Sequence, residues 1–408
     1  MKHVHATTDE WYTPNFFTNP YPFFHALRAV QPVHWSEKLH GWIVTGYEPA
    51  VTILQQNKRF SNAGRMAALL DALPEQDRSR FQPIYDHFAV GMIRCDPPDH
   101  TRLRRLISAA FTPRVIQDQH ADIQAIVDEL IDAFALERPV DLIGEFAYLL
   151  PATVICRMLG VPNEDLNRVR DWSERINSII AGMCPLRQAA ERTQGALLEL
   201  QEYFGKMIAK RRRQSQDDLM SLLVTAESEG DRLTELELLS TVENLLAAGH
   251  ETTKALISTG VLTLLRHPLQ LEHLRKHPDL MPGAIEEMLR FESPVQRQTR
   301  VVREDTELCG QNMRRGQVVF VMIGAANRDP SIFPNPDHFD IRHDSNRQIA
   351  FGKGPHFCIG APLARMESQI AMGTLLDRFE HIKLVGDQVQ WAPTAAIRAP
   401  TALPVHLG

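Results

Sequence analysis

Cys358 is placed where a sulfur can do chemistry. It stands in Phe351-Gly352-Lys353-Gly354-Pro355-His356-Phe357-Cys358-Ile359-Gly360. A helix-forming run follows at once, Ala361-Pro362-Leu363-Ala364-Arg365-Met366-Glu367, with Pro362 suited to a first helical turn. The unpaired N–H groups and positive dipole end of such a helix favour a thiolate over a thiol. Gly352, Gly354 and Gly360 let the backbone turn sharply and approach a flat ligand. A thiolate beside such a surface reads as an axial ligand to haem iron. Most cysteines are small buried apolar residues, and that is the default for Cys95, Cys156, Cys184 and Cys309. Three glycines, an aromatic and a histidine at fixed offsets set Cys358 apart.

A second group with chemical capacity lies upstream, in Ala247-Ala248-Gly249-His250-Glu251-Thr252-Thr253. Thr234 and Glu237 form a capping box, and periodic apolar residues continue to about Leu265. Some 30 residues at 1.5 Å each predict a rod of roughly 45–50 Å. Gly249 inside a helix costs about 1 kcal/mol relative to alanine. Threonine hydroxyls can bond back to carbonyls one turn earlier and bend the axis. The sequence therefore predicts a local opening of the hydrogen-bond ladder here. A carboxyl and a hydroxyl on a mid-core helix form a proton relay, Glu251 to Thr252. His250-Glu251 begins like a zinc-protease helix, but Lys254 stands where the second histidine belongs, so zinc lacks a ligand.

Length and composition fit a large, mostly helical domain. The chain has 408 residues, 44% of them hydrophobic, and a formal charge of −6. No linker, repeat or low-complexity tract divides it, which predicts one domain over 1–408. Its β-rich parts are expected near 30–46, 300–325 and 380–408, with α-rich parts at 47–290 and 361–379. Strands are expected at Val33–Trp35, Trp42–Thr45, Glu307–Cys309, Val318–Ile323, Ile382–Val385 and Pro404–His406, where β-branched residues cluster. Mild acidity argues against a nucleic-acid partner. Five cysteines indicate no disulfide framework and a reducing, cytoplasmic setting. The polar N-terminal stretch lacks an apolar run of signal or spanning length, so a soluble protein without membrane anchor is expected.

The cysteine run resembles the haem-binding loop of the cytochrome P-450 family at every defined position. Ala248-Gly249-x-Glu251-Thr252 resembles the family's oxygen-activating motif, with Glu for the commoner Asp. The resemblance implies a mainly α fold with a smaller β-rich region and the long helix over the haem. It implies haem b (iron protoporphyrin IX) with Cys358 as thiolate ligand and with Gly249 and Phe351 at the cofactor. Propionate contacts are implied for His100, Arg104, Arg300 and His356. Glu287 and Arg290 match a structural ion pair, with Arg328 or Arg342 completing its network. The implied activity is insertion of one oxygen atom from O2 into a lipophilic small molecule, by C–H hydroxylation or epoxidation. Thr252 and Glu251 would manage protons. Electrons would come from an external ferredoxin and ferredoxin reductase using NAD(P)H. Arg102, Arg105, Arg114 and Lys353 are expected to form a basic docking patch. A monomer is expected. By analogy the substrate is lined by 61–93, 170–190, 244–252, 294–299 and 394–398. These include Phe88, Met92, Ile93, Ile179, Ile180, Met183, Leu245, Ala248, Val295 and Ile397, a mainly apolar set. Peroxide-driven turnover and a non-catalytic haem sensor are the alternatives. The complete relay argues against both.

Overall fold

The computed structural model describes residues 11–408 apart from 66–69, 71, 182–184, 229 and 387. Two compact units divide the chain. One comprises Met1–Phe60, Ile123–Leu150 and Glu251–Gly408; the other comprises Ser61–Asp122 and Pro151–His250.

The first unit is built on a mixed sheet. Val33–Ser36 pairs antiparallel with Gly41–Val44, which pairs parallel with Val318–Met322. That strand pairs antiparallel with Arg297–Val302, and Phe60–Ser61 closes the edge. Side chains alternate across the pleat, so neighbouring residues enter different cores. Val44, Val319 and Val321 pack with Ile53, Leu54 and Ile349. Ile43 and Met322 pack instead with Trp11, Phe16, Phe23, Phe24 and Leu27. The expected strand at Val318 stops at Met322, because Ile323–Ala326 turns into a short helix. Arg297–Val302 was not expected as a strand. Its sequence is polar, and only Arg300 and Val302 are buried. Ile382–Leu384 and Pro404–Leu407 form near the expected terminal strands and pair antiparallel, and Val140–Asp141 adds a third strand.

The second unit is helical. Leu166–Ala181 packs on Leu186–Arg213, with Trp172 and Thr193 fully buried. Shorter helices at Gln82–Ala89 and Asp99–Ala110 and a turn at Met92–Arg94 complete the part that matters for chemistry.

The long helix runs Glu235–Arg266. Its capping box is reciprocal: Thr234 N–H donates to Glu237 Oε2 at 2.8 Å, and Glu237 N–H to Thr234 Oγ1 at 3.3 Å. The helix continues through Gly249 without a break, so the expected opening does not interrupt it. What distinguishes this stretch is exposure. Val242, Glu243, Leu246 and His250 are buried, while Ala248 and Gly249 are exposed and Asn244, Leu245 and Ala247 are half-buried. The middle of the helix thus has an open stripe, and its most exposed positions, Ala248 and Gly249, carry the smallest side chains.

Candidate active site

In the first unit the cysteine loop is set by its glycines. Gly352 and Gly354 have φ of 76° and 73°, the left-handed region that glycine enters without steric cost. A side chain at Gly354 would also bring its Cβ to 2.8 Å from the Gln55 Cα and the Leu54 carbonyl oxygen. The loop therefore lies backbone against backbone on the helix Tyr47–Gln55. Cys358 N–H donates to the Phe351 carbonyl at 2.9 Å, which closes the loop and leaves the sulfur exposed. Helix Ala361–Arg378 begins three residues on, with Pro362 in its first turn. The sulfur thus sits near a helix N-terminus, as the sequence predicts.

Arg300 is 3% exposed, on strand Arg297–Val302. It donates to Gln298 Oε1 at 3.1 Å, and the amide nitrogen of Gln298 lies against Gly352. The structure thereby brings Arg300 to the loop that carries Cys358. His356 occupies the tight turn Gly354–His356 and is half-buried. Phe351 packs edge-on to Phe357 and beneath the Arg365 guanidinium, 4.5 Å from its ring centre. Arg365 is itself held by Glu286 at 2.6 and 3.0 Å.

Glu287 and Arg290 form a fully buried pair with two contacts of 2.7 Å. Arg290 also donates to the carbonyls of Asn327, Pro336 and His338. Ser345 Oγ and Asp340 N–H donate to Glu287, with His343 at 3.5 Å. Neither Arg328 nor Arg342 joins this network. Arg328 lies between the Tyr21 and Phe291 rings and donates to Asp337, and Arg342 faces solvent beside Asp340. Asn327 links the pair to the loop by accepting the Ile349 N–H at 2.8 Å.

Glu251 and Thr252 are half-buried on the long helix. The Glu251 carboxylate pairs with Lys254 one turn later, and Lys254 lies 5.7 Å from the centre of the Tyr148 ring. The residue that excludes zinc in the sequence is thus the partner of Glu251, the acid expected in the relay. Sequence reasoning missed Glu367. It is 3% exposed, and burial pushes its carboxyl pKa up to about 8. The available signal was a lone acid one turn from Leu363, Ile370 and Ala371.

In the second unit His100 is buried and Arg104 half-buried, one turn apart on Asp99–Ala110. Burial, then the Arg104 charge, pushes the His100 pKa down against the pull of Asp96, which favours a neutral imidazole that can donate one N–H. Arg102 departs from the expected docking patch: it pairs with Glu237 and Asp231. Arg114 and Lys353 are exposed. Cys95 and Cys156 are buried, and desolvation pushes their thiols up to about 12. Cys309 is not buried; it sits exposed in the turn between Thr306–Leu308 and Gln311–Met313. Val295 bridges to Ile397, which joins two of the expected lining segments. Phe88 and Ile179 are buried, and Met92 and Ile93 half-buried. Cys184, Met183 and the side chain of Ile180 lie outside the described residues.

These surroundings fit an iron porphyrin. The Cys358 sulfur is accessible, and a Cβ at Gly360 would meet nothing nearer than that sulfur at 3.8 Å. A buried arginine and a histidine stand in the same unit for propionates. Separately, a Cβ at Gly249 would meet nothing within 4 Å. The cytochrome P450 family model matches residues 20–396. The chain belongs to the cytochrome P450 family. The biotin biosynthesis cytochrome P450 of Bacillus subtilis is 41% identical over 96% of both chains. The cytochrome P450 monooxygenase PikC of Streptomyces venezuelae is 40% identical over 96% of this chain and 92% of its own. Among solved structures, P450BioI in complex with hexadec-9Z-enoic acid ligated acyl carrier protein has a TM-score of 0.89. It is 39% identical and covers 99% of this chain and 100% of its own. The fold is that of the cytochrome P450 family, and the chain is a cytochrome P450 monooxygenase. Among the described residues no helix is long and apolar enough to cross a membrane.

Proposed function

We propose that this P450 inserts one oxygen atom from O2 into a lipophilic small molecule, by C–H hydroxylation or epoxidation, with electrons from an external ferredoxin and ferredoxin reductase. The whole chain acts as one catalytic domain in the cytoplasm. The observation that carries the reading is the exposed Cys358, whose N–H donates to the Phe351 carbonyl and which stands three residues before a helix N-terminus. Cys358 would hold haem b, and Arg300, His356, His100 and Arg104 would take its propionates. When bound there, the haem supplies the oxygen chemistry, with the thiolate donating electron density toward O–O cleavage.

The chain's own residues handle orientation and protons. Thr252 offers a hydroxyl and Glu251 a carboxylate on one helix turn, and Lys254 fixes where the Glu251 oxygen points. A proton taken up by the Glu251 carboxylate would pass to the Thr252 hydroxyl and on to the reacting centre. Arginine forks at Arg300 and Arg104 would bind the propionates and so hold the cofactor in place. Among relatives, P450BioI is solved in complex with hexadec-9Z-enoic acid ligated acyl carrier protein, and one relative is named a vitamin D(3) 25-hydroxylase. Extended lipophilic molecules are therefore the substrates to screen.

Cys358→Ser is the decisive test. It should abolish the red-shifted thiolate band of the reduced, carbon-monoxide-treated protein; an unchanged band rules Cys358 out as ligand. Thr252→Ala should leave that band in place and lower product formed per NAD(P)H consumed. An unchanged ratio removes Thr252 from the relay.

A further inference from the structure

The second unit holds a buried polar cluster that an apolar substrate pocket does not need. Arg94, at the end of the Met92–Arg94 turn, donates through Nη1 to Asn244 Oδ1 at 2.8 Å and to Glu243 Oε2 at 3.3 Å. Its guanidinium lies 4.0 Å from the centre of the Phe88 ring, and its side chain is only 10% exposed. Nε and Nη2 have no acceptor among the described residues. Behind it, Arg65 donates to the carbonyls of Asn62 and Ile93. Burial and the Arg94 charge pull the Arg65 pKa down to about 10, so the two cations are near enough to repel.

Two carboxylates lie nearby, matching the two cations in number, but among the described residues neither contacts Nε or Nη2 of Arg94. Asp96 accepts from the Ser61 hydroxyl and the Asn62 N–H. Glu243 is 1% exposed, shares Oε2 between Arg94 and a contact of 3.8 Å to His87 Nε2, and has no hydrogen bond at Oε1 among the described residues. His87 is fully buried, with Gln201 at 3.1 Å from Nδ1. Glu243 and Asn244 therefore both engage Nη1 of the guanidinium, and neither engages Nε or Nη2. Asn244 belongs to the open stripe of the long helix that continues through Leu245 and Ala247 to Ala248 and Gly249. Met92 and Ile93, on the Arg94 turn, are half-open as well.

We propose that Arg94, positioned by Glu243 and Asn244 and seconded by Arg65, is a specificity-determining residue that binds the carboxylate of a lipophilic acid. The acid's chain would lie along Leu245, Ala247 and Ala248. This rests on the monooxygenase reading and narrows its substrate class to lipophilic carboxylic acids. A guanidinium with free N–H groups in a dehydrated setting binds a carboxylate through charge-assisted, often paired hydrogen bonds. It gives much less to an ester or alcohol of the same chain.

The haem-loaded full-length protein is titrated by calorimetry and by Soret shift with myristic acid, methyl myristate and myristyl alcohol. The acid should bind at least about 10-fold tighter than either neutral analogue. Arg94→Gln leaves Glu243 buried without its cation, so it is paired with Arg94→Gln/Glu243→Gln, which removes both charges and keeps the shapes. In either variant the acid should weaken roughly 10- to 100-fold while the ester changes less than about threefold. Equal binding of acid and ester by the wild type overturns the proposal, as does an acid preference that survives in the double variant. The reduced carbon-monoxide spectrum is recorded on the same samples. A thiolate band with no acid preference rejects Arg94 alone, whereas a missing band in the wild type rejects the haem-thiolate reading beneath it.

Discussion

Two glycines, at the cysteine loop and at the middle of the long helix, occupy opposite environments. Gly354 has positive φ and no room, with backbone atoms 2.8 Å from where a Cβ would stand. Gly249 has helical backbone and meets nothing within 4 Å. The first is glycine because the fold demands close approach. The second lies in a helix that would be more stable with alanine, so its smallness serves the space beside it. The loop is built for rigidity, and the helix centre is built for room. The same amino acid therefore reports fold in one region and function in the other.

Breaking the loop's support should have the largest effect. Arg290→Ala leaves Glu287 charged and fully buried, and a loss of about 3–5 kcal/mol is expected, read as a lower denaturation midpoint and poor haem loading. Gly354→Ala adds left-handed strain and a backbone clash, roughly 2–4 kcal/mol, with haem loading falling in parallel. Stability unchanged in Gly354→Ala would falsify the view that the loop rests on the 47–55 helix.

Glu367 sharpens the contrast through pH. Its folded pKa of about 8 lies above the ordinary 4.5. Below 4.5 both folded and unfolded states hold the proton. Between these values the unfolded chain has lost it while the fold retains it, so stability falls as pH rises and levels off above about 8. Glu367→Gln should flatten this slope and gain roughly 1–3 kcal/mol at high pH, measured by urea melts across the window. An identical pH profile in both proteins rejects the burial of a protonated acid. The smallest effect belongs to Gly249→Ala. Helix propensity predicts a gain of about 1 kcal/mol in stability, and the added methyl should lower product formed per NAD(P)H. A destabilised variant with full coupling would reverse the comparison.

Much of this was legible without coordinates, because it depends on local spacing. The capping box, the length of the helix and the strands at Val33–Ser36, Gly41–Val44 and Pro404–Leu407 follow from hydrogen-bonding side chains, apolar period and β-branching. The cysteine loop follows from glycines at fixed offsets from one sulfur. The polar strand Arg297–Val302 was hidden because its pairing, not its composition, makes it a strand. The docking patch failed at Arg102 because a charge in a sequence has no partner until the chain folds, and the fold supplies Glu237 and Asp231.

The sequence by itself determined the elements proposed to carry the chemistry: a sulfur ahead of a helix, and an acid beside an alcohol inside another. These depend on neighbours within about one turn of chain. Only the tertiary structure decided what those groups touch. It gave Glu287 its partners Ser345 and His343, isolated the Glu367 carboxyl from water, and set Arg94 against Asn244 across 150 residues. The reason is physical. Burial and electrostatic pairing depend on distance in space, and segments remote in the chain fix that distance only once the cores between them are packed.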